Sequence, residues 1–340
     1  MSKQKLTRFL MKHQLQKMQS YGTKKHDLEN QAKKERQKAK SEGKSKEEIE
    51  KIDYLKEKIV GKGTMKTYIQ QADNYADWLE ENGMKKVSIE VAKYHVQEYL
   101  NHLVKEGYSP YSIHTAASAC AKIFKTSLKD YNIPKRSVAD IKKGKNPTKN
   151  DSYNQEHMKE ELKANRLLGM RKTALSTLRA KDIIDYADMT VVRSKGKGGK
   201  HNVQMFFDAD ERKQVLDLKI GKNPMDYIFD KKKIKNSDAD FHHERAMRAK
   251  DVYFRTIEDM REHPERRDYY KDIIERIFYE DGKKLPDNLD KLYVTRGKFR
   301  QMLIREGKDI SYDRLALIFV SVTVLNHYRE DVTVQNYVSK

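Results

Sequence analysis

A stretch near the middle of the chain separates two parts that must each build their own core. Residues 133–152, IPKRSVADIKKGKNPTKNDS, contain two prolines, a glycine and many lysines, with few apolar side chains that could join a core. This composition is typical of an inter-domain linker. The length of 340 residues is also more than one core usually organises, since domains run to roughly 100–200 residues. We therefore expect a multidomain protein.

The balance of charge indicates the class of partner. The chain carries 71 Lys and Arg against 51 Asp and Glu, which gives a formal net charge of +20, and 36% of its residues are charged. Such an excess of cations favours a polyanionic partner. Hydrophobic residues make up 37% of the chain and include 20 Tyr and 10 Phe, so the sequence is not that of a disordered tail.

Cysteine use and hydropathy predict the compartment. Cys120 is the single cysteine, which excludes an internal disulfide framework and a multi-cysteine zinc site and favours a reducing compartment. No run approaches the roughly 18–20 apolar residues that span a bilayer, and the first residues, MSKQKLTRF, lack the apolar stretch of a signal peptide. We expect a cytoplasmic protein with no membrane partner.

The part before the linker is predicted to be helical. Residues 1–60 are rich in Lys, Gln and Glu and predict a basic segment of polar helices or a mobile arm. Residues 61–132 predict a small all-α domain, because apolar side chains recur there at helical spacing up to Gly83. Further helices are expected to begin at Ser88, a good N-cap residue, and at Ser109, which precedes a proline.

Several lysines could contact the phosphates of a nucleic acid. Those in the helical domain and the linker are Lys122, Lys125, Lys129, Lys143 and Lys145.

Residues 153–340, after the linker, are expected to form a mixed α+β domain that is mainly helical. TVVR at 190–193 and VQMF at 203–206 flank the turn SKGKGGKH, which predicts a β-hairpin. Lys195 and Lys200 belong to this hairpin and are further candidates for phosphate contacts.

Two cationic residues of this domain stand where an anion could bind. Arg171, in LLGMRKTALSTLRAKDI, is placed at the start of a helix, where a guanidinium suits a phosphate. Lys197 lies in the glycine-rich turn, whose backbone can come close to a ligand. The turn is not a Walker A loop, because the following Ser or Thr and helix are missing. Either residue alone also fits an ordinary basic surface.

Two further segments add imidazole groups and a tyrosine. His242 and Arg245, in FHHERAMRAKDVY, are three residues apart and therefore share one face of a helix. Near the end of the chain, an apolar helix is followed by His327, and Tyr337 comes ten residues later. Each pattern is common by chance, and the tyrosine alone would indicate packing.

In this order the segments resemble the signature of the tyrosine recombinase, or phage integrase, family. The resemblance covers roughly residues 61–340 and is nearest in character to integrases of phages and conjugative transposons of Gram-positive bacteria. It implies a core-binding (SAM-like) helical domain over 61–132 and a tyrosine recombinase catalytic domain over 153–340. The residues that match the Arg, Lys, His-x-x-Arg, His and Tyr of the signature are Arg171, Lys197, His242, Arg245, His327 and Tyr337.

The resemblance implies a role for each of these residues. Tyr337 would be the nucleophile that forms a 3′-phosphotyrosyl link. Arg171 and Arg245 would hold the non-bridging oxygens of the phosphate, and Lys197 would protonate the leaving 5′-oxygen. His242 would position or deprotonate the tyrosine, while His327 would hydrogen-bond the phosphate. The two arginines stand where other phosphoryl-transfer enzymes place divalent cations, so no metal and no cofactor is expected.

The sequence departs from the family pattern in two places. Leu325-Asn326-His327 stands where the family usually reads Leu-Gly-His, so the local turn could differ. Val338, Ser339 and Lys340 alone follow Tyr337, so the tail by which many relatives dock onto a neighbouring subunit is expected to be missing or replaced. A charged insert over about 250–308 could contact DNA, a neighbouring subunit or neither.

The expected partners are double-stranded DNA attachment sites, other copies of the chain in a tetramer on DNA, and possible accessory factors that bend DNA or set direction. Strand exchange through a Holliday junction, integration or excision of a mobile element, and a place at the bacterial nucleoid are implied with them. Two alternatives stay open from the sequence. One is a non-catalytic nucleic-acid-binding protein, and the other is a resolvase or topoisomerase that uses the same chemistry.

Overall fold

The chain is divided into two compact units, Met1–Lys143 and Gly144–Lys340. The computed structural model describes residues 6–141, 156–196 and 201–339. The first described part is helical, and the second is mainly helical with two small sheets. The expected fold class, an all-α unit and a mixed but mainly helical unit, is confirmed.

The described part of the first unit is built from α-helices. Its α-helices, numbered in chain order, are α1 Thr7–Lys17, α2 Lys25–Ser41, α3 Lys46–Lys51, α4 Lys62–Glu81, α5 Ile89–Tyr94, α6 Val96–Lys105 and α7 Pro110–Ile123. The apolar faces of α1, α4, α5, α6 and α7 meet around Tyr75, which is fully buried and whose ring centroid lies 4.8 Å from that of Tyr99. Its hydroxyl donates a hydrogen bond to the carbonyl of Ala92.

The ends of these helices follow from the residues that cap them. Gly83 has a φ of +78°, a left-handed conformation that glycine adopts without strain, and α4 ends just before it. The side chains of Ser88 and Ser109 accept hydrogen bonds from the N–H groups of Val91 and Ser112 at 3.2 Å. The helix expected from Ser88 onward is interrupted at His95, where one short helix ends and the next begins.

The amino-terminal helix α1 belongs to the core of this unit. Met11 and Leu15 are fully buried against α4 and α7, although lysines and glutamines surround them in the sequence. Thr7 fixes the start of the helix to the segment after α4. Its hydroxyl lies 3.0 Å from the carbonyl oxygen of Val87 and 2.9 Å from the N–H of the same residue.

The second unit begins, in its described part, with α8 Lys159–Leu168 and the short α9 Lys172–Leu175. A three-stranded antiparallel sheet follows, with strands β1 Ile183–Asp185, β2 Thr190–Lys195 and β3 His201–Phe206 in the order β1-β2-β3. The predicted hairpin is therefore present, and Val192 pairs with Gln204. Gly196 follows β2, where any Cβ atom would overlap the side-chain amide of Asn202.

The remaining elements of this unit are mostly helices. They are α10 Ala209–Asp217, α11 Lys231–Asn236, α12 Phe241–Glu262, α13 Arg266–Glu280, β4 Leu292–Val294, α14 Gly297–Arg305, β5 Ser311–Asp313, α15 Arg314–Thr323, α16 Glu330–Thr333 and a π-helical turn Val334–Val338. The segment 250–308 starts inside α12 and continues through α13 and α14. Strands β4 and β5 form a second antiparallel pair.

The hydrogen bonds of Thr7 predict the effect of a single substitution. Thr7→Val keeps the shape of the buried side chain but leaves the partly buried Val87 N–H without its acceptor, so the first unit should lose about 1–3 kcal/mol of stability. Trp78 is the single tryptophan and lies in α4, so its fluorescence during urea unfolding reports this unit. Thr67→Val is the matched control, because Thr67 is exposed and bonds only within α4. Equal midpoints for the two variants would contradict a structural role for α1.

Candidate active site

A sharp turn at the end of α8 sets the position of Arg171. Gly169 adopts a φ of +63°, and a Cβ atom there would lie 2.9 Å from Cγ1 of Val324. The turn therefore requires glycine, both for its backbone conformation and for its close approach to the residues after α15. Arg171 follows as the residue that precedes α9, and its side chain is exposed.

Asn165 locks this turn to the start of α12, a role that the sequence analysis missed. It is fully buried, its Nδ2 donates to the carbonyl of Phe241 at 2.8 Å, and its Oδ1 accepts from the N–H of Met170 at 3.1 Å. The sequence does contain a pattern that indicates this buried role. Asn165 lies three residues from both Leu162 and Leu168, so it is a polar residue on the apolar face of its helix.

Arg245 is the most deeply buried charged group of the site. Its side chain is 1% exposed, and its guanidinium donates through Nη1 to the carbonyl of Gly169 and through Nη2 to the carbonyl of Leu325, the latter at 2.8 Å. Burial lowers the pKa of Arg245, and the nearby Tyr337 opposes that effect, while the charge of Arg171 adds to it. Within the part of the chain that the structure describes, Nε of Arg245 has no hydrogen-bond partner.

His242 lies one turn before Arg245 on α12 and is exposed. Asp240 caps this helix by accepting the N–H of His243 at 2.9 Å. The His242 ring stands edge to face with Tyr337, with centroids 5.8 Å apart and planes at 62°. The predicted helical face therefore brings the imidazole and the guanidinium to the same tyrosine.

Tyr337 lies in the π-helical turn between two histidines. It is 7% exposed, and its ring centroid is 6.2 Å from that of His327. The contact with His242 completes the pair of imidazoles around its ring. A phenol in this position has two groups beside it that can accept or donate a proton.

His327 is held as a neutral imidazole. Burial, together with the charges of Arg245, Arg171 and Arg329, lowers its pKa to about 4. Its backbone N–H donates to the carbonyl of Ser321 at 2.9 Å, but among the described residues neither ring nitrogen has a hydrogen-bond partner. A buried polar group without a partner costs about 1–3 kcal/mol, so a ligand that accepts its N–H would recover that energy.

Asn326 keeps the turn that a glycine would make. Its φ is +51°, a left-handed conformation that asparagine tolerates better than most residues. Its side-chain Oδ1 also accepts a hydrogen bond from the N–H of Val203 in β3. The asparagine therefore has a backbone conformation that glycine also adopts freely, and its side chain adds a bond to the sheet.

The predicted lysines fall into three groups. Lys143, Lys145, Lys197 and Lys200 lie outside the described residues. Lys195 is exposed at the end of β2, and Lys125 and Lys129 are exposed in the first unit, where Lys125 pairs with Glu57 at 3.2 Å. Lys122 is half-buried, its ammonium donates to the carbonyl of Leu55, and burial lowers its pKa, so its charge already has a partner within the unit.

Residues 6–141, 156–196 and 201–339 contain no group of three or more His, Cys, Asp or Glu side chains that could hold a metal ion. Within the same ranges, no helix combines the length and the apolar character needed to cross a membrane. Cys120 is buried in the first unit.

Comparison with known proteins gives matches among solved structures. No family model matches the sequence, and no curated protein is similar to it. The chain is similar to XerH site-specific recombinase bound to palindromic difH substrate in a post-cleavage complex, with 15% identity, a TM-score of 0.37 and coverage of 88% of this chain and 93% of that chain. It is also similar to XerH bound to difH substrate in a pre-cleavage complex, with 15% identity, a TM-score of 0.37 and coverage of 97% of this chain and 91% of that chain. The similarity to XerA recombinase has 15% identity, a TM-score of 0.22 and coverage of 81% of this chain and 86% of that chain.

The Asn326 turn predicts an order of stability among its variants. Asn326→Ala loses the bond to Val203 and places a Cβ-bearing residue without compensation in the left-handed region, whereas Asn326→Gly loses only the bond. We expect the alanine variant to be less stable than the glycine variant by about 1 kcal/mol. Hydrogen exchange of the α15 amides measures unfolding of the second unit, and equal protection in the two variants would contradict the proposed strain.

The low pKa of His327 predicts how stability depends on pH. Between pH 6.5 and about 4, His327 is protonated in the unfolded chain but stays neutral in the native state. The native state therefore loses stability as the pH falls through that window. From pH 7 to pH 4 the unfolding free energy of the wild type should fall by up to about 3 kcal/mol relative to that of His327→Gln. Hydrogen exchange of α15 at both pH values tests this, and a difference independent of pH would contradict it.

Proposed function

We propose that the chain is a tyrosine-type site-specific DNA recombinase that cuts and rejoins DNA through a 3′-phosphotyrosyl intermediate. The observation that supports this most is that side chains from distant parts of the second unit lie close together around Arg245 and the buried Tyr337. These side chains are Arg171, His242, Arg245, His327 and Tyr337.

The electrostatics of this cluster suit a phosphodiester. Arg171 and Arg245 are close enough for the charge of one to lower the pKa of the other, and such a pair is stabilised when an anion binds between them. Arg245 has five N–H donors and uses two nitrogens on backbone carbonyls, which leaves donors for a non-bridging oxygen. A neutral His327 adds one more N–H donor without adding a charge.

These positions support the following reaction, in which Lys197, a residue outside the described ranges, has the role that the family resemblance implies. The hydroxyl oxygen of Tyr337 attacks phosphorus, the bond to the 5′-oxygen breaks, and a 3′-phosphotyrosyl ester forms. His242 takes the phenolic proton, and Lys197 of the hairpin turn is the proposed donor of a proton to the 5′-oxygen. The ester conserves the bond energy, so the reverse attack by a 5′-hydroxyl rejoins DNA without ATP. Four copies that exchange strands through a Holliday junction would complete recombination of a mobile element.

The substrate is double-stranded DNA, which the net charge of +20 favours. Exposed lysines such as Lys125, Lys129 and Lys195 would add phosphate contacts, whereas Lys122 would contribute less because its ammonium bonds to Leu55. Affinity should therefore fall steeply with salt. Attachment sites flanking the gene are the first candidates for specific sequences.

Replacement of the nucleophile gives the direct test. In EDTA, wild-type protein mixed with nicked duplexes drawn from DNA flanking the gene should form a covalent adduct on a denaturing gel, and Tyr337→Phe should form none. Tyr279→Phe is the matched control, because Tyr279 is 87% exposed on α13 and should leave the adduct unchanged.

The other outcomes decide between the alternatives. Salt-sensitive binding of the duplexes without any adduct would favour a non-catalytic nucleic-acid-binding protein. An adduct that persists in Tyr337→Phe would show that another residue is the nucleophile. Relaxation of plasmids without paired sites would indicate a topoisomerase, and recombination confined to two sites on one molecule would indicate a resolvase.

A further inference from the structure

The ring of His327 depends on its neighbours in the chain for its orientation. Neither ring nitrogen has a hydrogen-bond partner in the described part of the chain, so no hydrogen bond there fixes the orientation of the imidazole. The residues on both sides of it are anchored. Asn326 bonds to the N–H of Val203, and Tyr328 is held by the segment that follows α13.

The side chains of Phe278, Asp281 and Lys283 hold Tyr328 in place, and we call these three contacts the grip. The Tyr328 hydroxyl donates a hydrogen bond to Asp281, and its ring meets that of Phe278 edge to face, with centroids 4.9 Å apart and planes at 88°. The ammonium nitrogen of Lys283 lies 3.2 Å from the centre of the Tyr328 ring, a cation–π contact. All three belong to the segment 250–308, for which the sequence analysis found no role.

The helix that carries this grip is itself firmly packed. Ile274, Ile277 and Phe278 of α13 are buried, and Tyr270 stacks edge to face on Phe319 of α15 at 4.8 Å. The helix is therefore a rigid support for Tyr328. By contrast, a cavity of about 400 Å³ adjoins the turn itself and is lined by Asn326, Tyr328 and Asp281 together with residues of β2 and β3.

We infer that Phe278, Asp281 and Lys283 are positioning residues that hold Tyr328 and thereby aim His327 at the scissile phosphate. The inference rests on the proposed function, since it gives the segment 250–308 a part in DNA cleavage. These residues act through Tyr328 and are not catalytic. A displacement of about 1 Å in a reacting group can cost about 100-fold in rate, so loss of the grip should be visible in the chemical step.

Two variants weaken the grip without touching the buried face of α13. Tyr328→Phe removes the hydroxyl, and Asp281→Ala removes its acceptor. Asp287→Ala is the matched control, because Asp287 is an exposed acidic residue of the same loop whose partner is Lys284 at 3.5 Å. Asp281→Asn retains an oxygen that can accept from the hydroxyl and should restore part of the lost rate.

Two independent readouts separate the inference from the function on which it rests. The first is the single-turnover rate of adduct formation at saturating nicked duplex, with duplex affinity measured in parallel. We expect Tyr328→Phe and Asp281→Ala to slow the rate about 10- to 100-fold at unchanged affinity. The second is an NMR titration of the His327 imidazole without DNA, in which its pKa should rise from about 4 toward 6.5 as the turn opens to solvent.

The results that overturn the inference are distinct from those that overturn the function. If the wild type forms adduct and both grip variants match Asp287→Ala in rate and in His327 titration, Tyr328 is not the link. If all three variants slow equally, the effect is not specific to the grip. If the wild type forms no adduct, the proposed function fails, and an unchanged titration in the grip variants would separately overturn the positioning role.

Discussion

The buried guanidinium of Arg245 connects the parts of the chain that form the site. It bonds at once to the carbonyl of Gly169, at the end of α8, and to that of Leu325, after α15. These carbonyls lie directly before the segments that carry Arg171 and His327. A planar fork with several donors can make both bonds, whereas the single ammonium of a lysine could not reach them in the same geometry. The same residue therefore organises the site and is the proposed phosphate ligand.

The site also carries unfavourable terms that an anion would remove. Two arginines lie close together, the deeper of them has an unpartnered buried nitrogen, and His327 is kept neutral with both ring nitrogens unpaired among the described residues. Each feature lowers stability in the absence of ligand. A group with several negatively charged oxygens would offset all three, in keeping with the proposed phosphate substrate.

The sequence predicts local features well because they depend on neighbours in the chain. The caps at Ser88 and Ser109, the stop at Gly83 and the β-hairpin all follow from residues within a few positions of one another. The shared helix face of His242 and Arg245 is likewise local, whereas the contacts of Tyr337 with His242 and His327 join distant segments.

What escaped prediction depends on partners far away in the sequence. Asn165 reaches Phe241, and Asn326 reaches Val203, so neither side chain has a local pattern that names its partner. The sequence around Lys122 indicates an exposed surface lysine, because its partner, the carbonyl of Leu55, is far away in the chain. The burial of α1 was hidden for a different reason, since its few apolar residues are spaced for one face but diluted by lysine and glutamine.

The π-helical turn Val334–Val338 gives the tyrosine an unusual mechanical setting. A π turn holds one more residue than an α turn, and the wider ring is the less stable of the two. Relaxation to an α-helical turn would rotate every later side chain by about 100° around the helix axis. Tyr337 would then move away from its present contacts with the rings of His242 and His327. The place of the tyrosine between these two imidazoles therefore depends on the π-helical hydrogen-bond register of the turn.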